Sequence, residues 1–231
     1  MDKIAVYTGT RNLYPHMVPA VKSLIMRSDV DKVYLLIEDD EFPYELPELV
    51  ETRNVSDQKY FPHDGPNFKS RFTYMAMMRA ALAKEFPEYD KILSLDVDTF
   101  AVQNMSELWD KDLTGYYFCA SKEPDRSTHE RMYVNVGVAL YNLAMMREIV
   151  DAVIEKLNTI EYNFVEQDCL NDVCTGKIRE MPSIYNATPY TMPAPSPKII
   201  HYAGKGDWTD QPQYVAYSKL TWDEVMRGRP K

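Results

Sequence analysis

Continuous apolar runs alternate in this chain with segments of helical periodicity. Residues 4–7 (Ile-Ala-Val-Tyr) form a short apolar run that ends in the turn chemistry of Thr8-Gly9-Thr10-Arg11-Asn12. Beyond Tyr14-Pro15, Val18, Val21, Leu24 and Ile25 share one face at helical spacing. Pro15 suits a first helical turn, where a missing N–H costs nothing. Residues 32–37 are a second uninterrupted apolar run, the signature of a strand buried on both faces. A β-α-β opening of this kind implies parallel strands. The spacing then predicts a helix over 72–86, with Met75, Met78, Leu82 and Phe86 on one stripe and Pro87 as its stop. Strands are predicted at 91–95, 115–120, 136–141 and 198–202, and helices at 144–157 and 166–174. Residues 42–71 and the proline-rich 182–197 read as loops. No repeat or linker interrupts the pattern, so residues 1–231 read as one α/β domain with an open, mostly parallel twisted sheet flanked by helices. Ligands in such sheets sit beyond the carboxyl ends of the strands.

Composition narrows the function. The net charge is −9 with a pI near 5.0. This argues against a broad nucleic-acid groove, which needs clustered Lys and Arg. No run of about 18 apolar residues is present, so no membrane span is predicted. The residues 1–7 carry an acid and read as a first strand rather than a signal peptide. Cys119, Cys169 and Cys174 form no Cys-x-x-Cys pair. Three thiols at these spacings suit neither a disulfide scaffold nor structural zinc, and they fit a reducing cytoplasm. The basic tail at 227–231 reads as solvated, with an anionic membrane surface as the alternative.

Five features carry candidate chemistry. Of the Asp-x-Asp triplets at 29–31, 96–98 and 110–112, only Asp96-Val97-Asp98 follows a buried-type strand. Two like charges crowded there are costly without a cation, whose hard oxygen ligands they would be. The competing reading is a solvated strand-to-loop turn. His201 ends an apolar strand before a glycine turn. If its strand end lies beside that of 92–95, the two Asp and the His make an O/O/N set that suits Mn²⁺ better than Mg²⁺. Otherwise it is a structural histidine. Asn135, entering a strand, is placed either to bond a sugar hydroxyl or to close a turn, and Gly137 would let another backbone approach closely. Glu166-Gln167 opens a helix, where acids are favoured by the macrodipole alone. Arg79 lies among apolar neighbours, and a buried Arg needs an anionic partner such as a diphosphate.

Taken in order, the stretches YTGTRNLYPHMVPAVKSL, MRAALAKEFPEYDKILSLDVDTF, YVNVGVALYNL, EQDCLN and IIHYAG resemble glycosyltransferase family 8. The resemblance runs almost the length of the chain. It implies the single-domain GT-A nucleotide-sugar-binding fold and a retaining hexosyltransferase. By the same resemblance, Asp96, Asp98 and His201 hold a divalent cation, Mn²⁺ with Mg²⁺ as the substitute. Thr8, Thr10, Tyr14, Arg79, Val97, Asn135, Gly204 and Lys205 bind the donor, with Tyr14 stacking on the base. Glu166 and Gln167 sit beside the anomeric carbon. The implied partners are a UDP-hexose, with glucose or galactose as the sugar, and a glycan, protein or lipid acceptor. Three departures from the family pattern stand out: Glu166 where Asp is common, Gly204-Lys205-Gly206-Asp207-Trp208 where Lys-Pro-Trp usually closes the segment, and a one-residue-shorter spacing after Tyr14. The cation would serve as Lewis acid for the departing diphosphate, with Arg79 and Lys205 adding positive charge. Neutral Gln167 is a poor nucleophile and is expected to stabilise rather than bond. The alternatives are a nucleotide-sugar-binding protein without turnover and a nucleotidyltransferase on the same fold type. A haloacid-dehalogenase-type phosphatase is disfavoured, because Phe100 stands where its motif wants Thr.

Overall fold

The computed structural model describes residues 2–230. A seven-stranded sheet is built from β1 (Ile4–Thr8), β2 (Lys32–Ile37), β3 (Val50–Asn54), β4 (Lys91–Leu95), β6 (Phe118–Lys122), β7 (Val134–Asn142) and β8 (Ile178–Glu180), in the order β3-β2-β1-β4-β7-β6-β8. All neighbours run parallel except β7, which is antiparallel to both β4 and β6. The two short strands β5 (Thr99–Ala101) and β9 (Ile199–His201) pair in a separate antiparallel ribbon.

The period-two alternation of each strand feeds two cores. Val6, Leu36, Ile92 and Tyr141 face one cluster, packed under α5 (Val150–Thr159) and α6 (Val165–Val173). Ala5, Leu35, Leu93 and Leu140 face the other, under α1 (Tyr14–Arg27). Two further helices, α7 (Pro212–Ser218) and α8 (Trp222–Gly228), cover the outer side of α1 and were not anticipated from the sequence. No helix among the described residues is long and apolar enough to cross a membrane.

Two predicted helices are broken. The segment 72–86 is α2 (Thr73–Met77), a 3₁₀ turn (Met78–Ala81) and α3 (Leu82–Glu85). The tightened middle carries Arg79, which bonds to the sheet. The segment 144–157 is split into α4 (Leu143–Met146) and α5, with Asn142 capping the first piece through the Met145 N–H. The strand predicted at 198–202 forms the ribbon with β5 rather than joining the main sheet. In the basic tail, Arg229 folds back to donate to the Val30 carbonyl and Arg227 donates to the backbone carbonyl of Asp223 at 3.2 Å. Lys231 lies outside the described residues.

Candidate active site

A cavity of about 640 Å³ opens above the carboxyl ends of β1 and β4 and the start of β7. Asp96 and Asp98 follow directly from β4. The turn is fixed by Thr99, whose N–H and hydroxyl both donate to the Asp96 carbonyl, at 3.1 and 2.6 Å. His201 arrives on β9, where it stands opposite Thr99 in the ribbon. The ribbon therefore delivers the histidine to the acids. Its Nε2 lies 3.5 Å from Asp96 Oδ2 and 3.3 Å from Asp98 Oδ1. One ligand atom from each residue lies within 4.8 Å of the others. Burial opposes protonation of the imidazole, yet the two facing carboxylates outweigh it and raise its pKa.

Gly137 is what lets this cluster form. A Cβ there would stand 2.1 Å from His201 Cε1 and 2.6 Å from Asp96 Oδ2. The close approach expected at this glycine is thus made by two site side chains rather than by another backbone.

Arg79 is buried, and the anionic partners its burial requires are protein carboxylates. Its guanidinium pairs with Asp96, lies 3.3 Å from Glu166 and donates to the Val136 carbonyl at 3.0 Å. Desolvation works against its charge, but Asp96 and Glu166 more than offset that and raise its pKa. Asp96 is held low by Arg79 and His201 in spite of burial. Glu166 behaves oppositely, because burial outweighs the help from Arg79 and pushes its carboxyl up.

Gln167 spans from α6 to the sheet. Its Oε1 accepts from the Val136 N–H at 3.1 Å and its amide donates to the Tyr133 hydroxyl at 3.1 Å. Here β7 departs from β6. The register steps from Ala120–Ala139 to Ser121–Asn135, leaving residues 136–138 without partners on that side. Each backbone polar group of Val136 and Gly137 is instead taken by a site residue. Gln167 and Arg79 take those of Val136, the Asn135 side chain accepts from the Gly137 N–H at 3.0 Å, and the Asp96 N–H donates to the Gly137 carbonyl at 2.7 Å. This answers the demand that buried backbone groups be paired.

Thr8, Thr10, Val97, Asn135 and Gly204 also line the cavity. Two expected residues do not. Tyr14 is 1% exposed, its ring packed 5.2 Å from Phe42 and its hydroxyl spent on Asp39 and the Glu38 N–H, so it cannot stack on a base. Lys205 points to solvent near Asp207 at 3.9 Å and is not part of the lining. The sequence reading missed Arg71, Phe72, Arg126, Phe164, Tyr190 and Trp208 at the rim. It also missed Asn186, which touches His201 from behind at 2.8 Å. All three cysteines are free and buried, and burial pushes the Cys119 thiol up to about 11 and the other two to about 12. None is a nucleophile for the cavity.

The arrangement fits a divalent cation. The donor set is two carboxylates and one imidazole nitrogen, leaving coordination positions open to the cavity. Among the residues lining it, three guanidinium groups (Arg71, Arg79, Arg126) face four carboxylates (Asp96, Asp98, Glu123, Glu166).

This mixed α/β sheet, with carboxylates after its fourth strand and a histidine brought back on β9, has the arrangement that the resemblance to family 8 implies. The profile of "Glycosyl transferase family 8" matches residues 6–210, and the chain belongs to that family. It is similar to a "Putative glycosyltransferase" of Haemophilus influenzae, 30% identical over 146 residues, covering 54% of this chain and 44% of that protein. It also resembles "Glycosyltransferase GlyA" of Streptococcus pneumoniae, 26% identical over 181 residues, 68% of this chain and 26% of that one. The chain thus spans less than half the length of either relative. Among solved structures, the galactosyltransferase LgtC in complex with donor and acceptor sugar analogs superposes with a TM-score of 0.72 at 18% identity, over 96% of this chain and 99% of that one. GlyE of Streptococcus pneumoniae follows with 0.69 at 18%, over 98% of this chain and 62% of that one. At these identities the structures speak for the fold.

Proposed function

We propose that this member of the family is a glycosyltransferase that moves a hexose from a UDP-sugar to an acceptor hydroxyl with retention of anomeric configuration, and that Asp96, Asp98 and His201 hold a divalent cation, Mn²⁺ by preference. One observation carries the reading. Two carboxylates that follow β4 and a histidine more than a hundred residues further along converge within 4.8 Å in the wall of the cavity. Two acids side by side would repel a diphosphate unless a cation reversed the local sign. When bound, that cation supplies Lewis-acid stabilisation of a departing diphosphate.

The chain's own residues do the rest. Arg79 fixes Asp96 from below and keeps it ionised, so the carboxylate is ready as a ligand. Thr8, Thr10, Val97 and Gly204 wall the donor side. Glu166 and Gln167 stand where the sugar would lie. Gln167 has its carbonyl oxygen engaged by the Val136 N–H, which supports a stabilising wall rather than a covalent partner. The acceptor, whether glycan, protein or lipid, would enter past the rim formed by Phe72, Phe164 and Tyr190.

The test is donor hydrolysis. Incubation with a panel of sugar nucleotides and Mn²⁺ is expected to release free UDP, detected by mass spectrometry, from one or two UDP-hexoses. Asp98→Ala is expected to remove that release while leaving the far-UV circular dichroism unchanged. Undiminished turnover in the variant, or equal rates with Mn²⁺ and with EDTA, would overturn the metal assignment.

A further inference from the structure

Behind His201 runs a chain of buried side chains, and its hydrogen-bond directions can be deduced from one fixed end. That end is the Gly137 N–H, which can only donate. It donates to an Asn135 side-chain atom at 3.0 Å, so that atom is the amide oxygen. The same oxygen lies 3.0 Å from the Asn186 side-chain amide, which must therefore turn its NH₂ toward Asn135. The Asn186 oxygen is then left facing His201 Nδ1 at 2.8 Å. An oxygen acceptor there requires a proton on Nδ1. Nε2, on the other side of the ring, is left to face Asp98 and Asp96. Asn186 is 0% exposed and Asn135 6%. Asn135 is held in turn by donating to Glu123 at 2.8 Å, and Glu123 by Arg126 at 3.2 Å.

We infer that Asn186, directed by Asn135, is the positioning residue that holds His201 with Nδ1 protonated and Nε2 presented to a cation beside Asp96 and Asp98. A metal-bound imidazole is commonly oriented by what its other nitrogen bonds to, and losing that partner costs about 10- to 100-fold in metal affinity. The inference rests on the cation reading of the three ligands, but the lock itself does not need a cation to be observed. It gives the loop at 182–197 a function. It also gives Asn135, which lines the cavity, an internal duty: its oxygen serves Gly137 and Asn186, and one N–H of its amide serves Glu123.

Two readouts test it on the full chain. The first is the ¹H–¹⁵N spectrum of the His201 ring in metal-free protein. A slowly exchanging Nδ1–H resonance is expected, lost in Asn186→Leu and kept in Asn186→Asp, which presents only acceptors to the ring. The second is Mn²⁺ affinity without any sugar nucleotide, by electron paramagnetic resonance. Asn186→Leu is expected to bind roughly 10- to 100-fold more weakly, and Asn186→Asp within several-fold of the parent. If Asn186→Leu does not fold, the parent and Asn186→Asp still decide the matter. No protected Nδ1 proton in either, or an unchanged resonance and affinity in a folded Asn186→Leu, overturns the inference. A parent that shows the resonance yet binds no Mn²⁺ leaves the lock standing and refutes the cation site.

Discussion

At the scale of single residues, two positions have no substitute. Gly137 has no room for a Cβ, because the space is filled by His201 and Asp96. Gly137→Ala is expected to push those ligands apart, lowering Mn²⁺ affinity at least tenfold and destabilising the fold by about 1–3 kcal/mol through overpacking. Calorimetric metal titration and urea unfolding would measure the two effects. Arg79 is the second. Its fork reaches Asp96, Glu166 and the Val136 carbonyl at once. A lysine keeps the charge but cannot span three acceptors. Arg79→Met would leave the buried Glu166 and the partly buried Asp96 without their cation, a loss of about 3–5 kcal/mol. Arg79→Lys should fall between that and the parent in the same unfolding assay. The opposite case is Thr73, a β-branched residue at φ 62° next to the cavity-lining Phe72. Such a backbone stores of order 1–3 kcal/mol. Thr73→Gly is therefore expected to leave stability unchanged or raise it, although glycine in a relaxed helix would cost about 1 kcal/mol.

At the scale of elements, what could be read from the sequence followed burial. β1, β2 and β4 are mostly apolar because both sheet faces are covered, and their runs stand out. β3, with the pattern Val-Glu-Thr-Arg-Asn, is an edge strand with little apolar signal, and β5 and β8 have three residues each. These escaped notice for that reason. The stripe over 72–86 showed the right face but not the 3₁₀ turn inside it, since the tightening answers to Arg79's bonds across to the sheet. The site was legible where a motif is compact, as at Asp96-Val97-Asp98 and Glu166-Gln167. Asn186 left no trace, because a lone asparagine among prolines has no periodicity to set it apart. Tyr14 misled for a related reason: an aromatic after a turn looks the same whether it will cover a base or fill a core.

At the scale of the whole molecule, α7 and α8 lie beyond residue 210, where the family match stops. They are nevertheless bound into the structure. Val225 is buried, the Tyr217 hydroxyl donates to the Ala101 carbonyl at 2.7 Å, and Lys22 donates to the Leu220 carbonyl at 2.5 Å. The Tyr217 ring also stacks on Phe100, 6.3 Å between centroids. Phe100 belongs to β5, the partner of the strand that carries His201. A chain cut after Asp210 is expected to lose several degrees in its unfolding midpoint and to bind Mn²⁺ more weakly, as thermal denaturation and metal titration would show. An intact affinity would mean the ribbon stands without its outer helix. The unzipped stretch of β7 has a wider consequence. Its polar groups are completed by Arg79, Gln167 and Asn135, which arrive from elsewhere in the chain or from its own side chains. A mutation that disarms these three is therefore a folding lesion as well as a chemical one. A descendant that abandoned its chemistry could let Asp98 drift, but it would have to keep the arginine and the glutamine merely to stay in one piece.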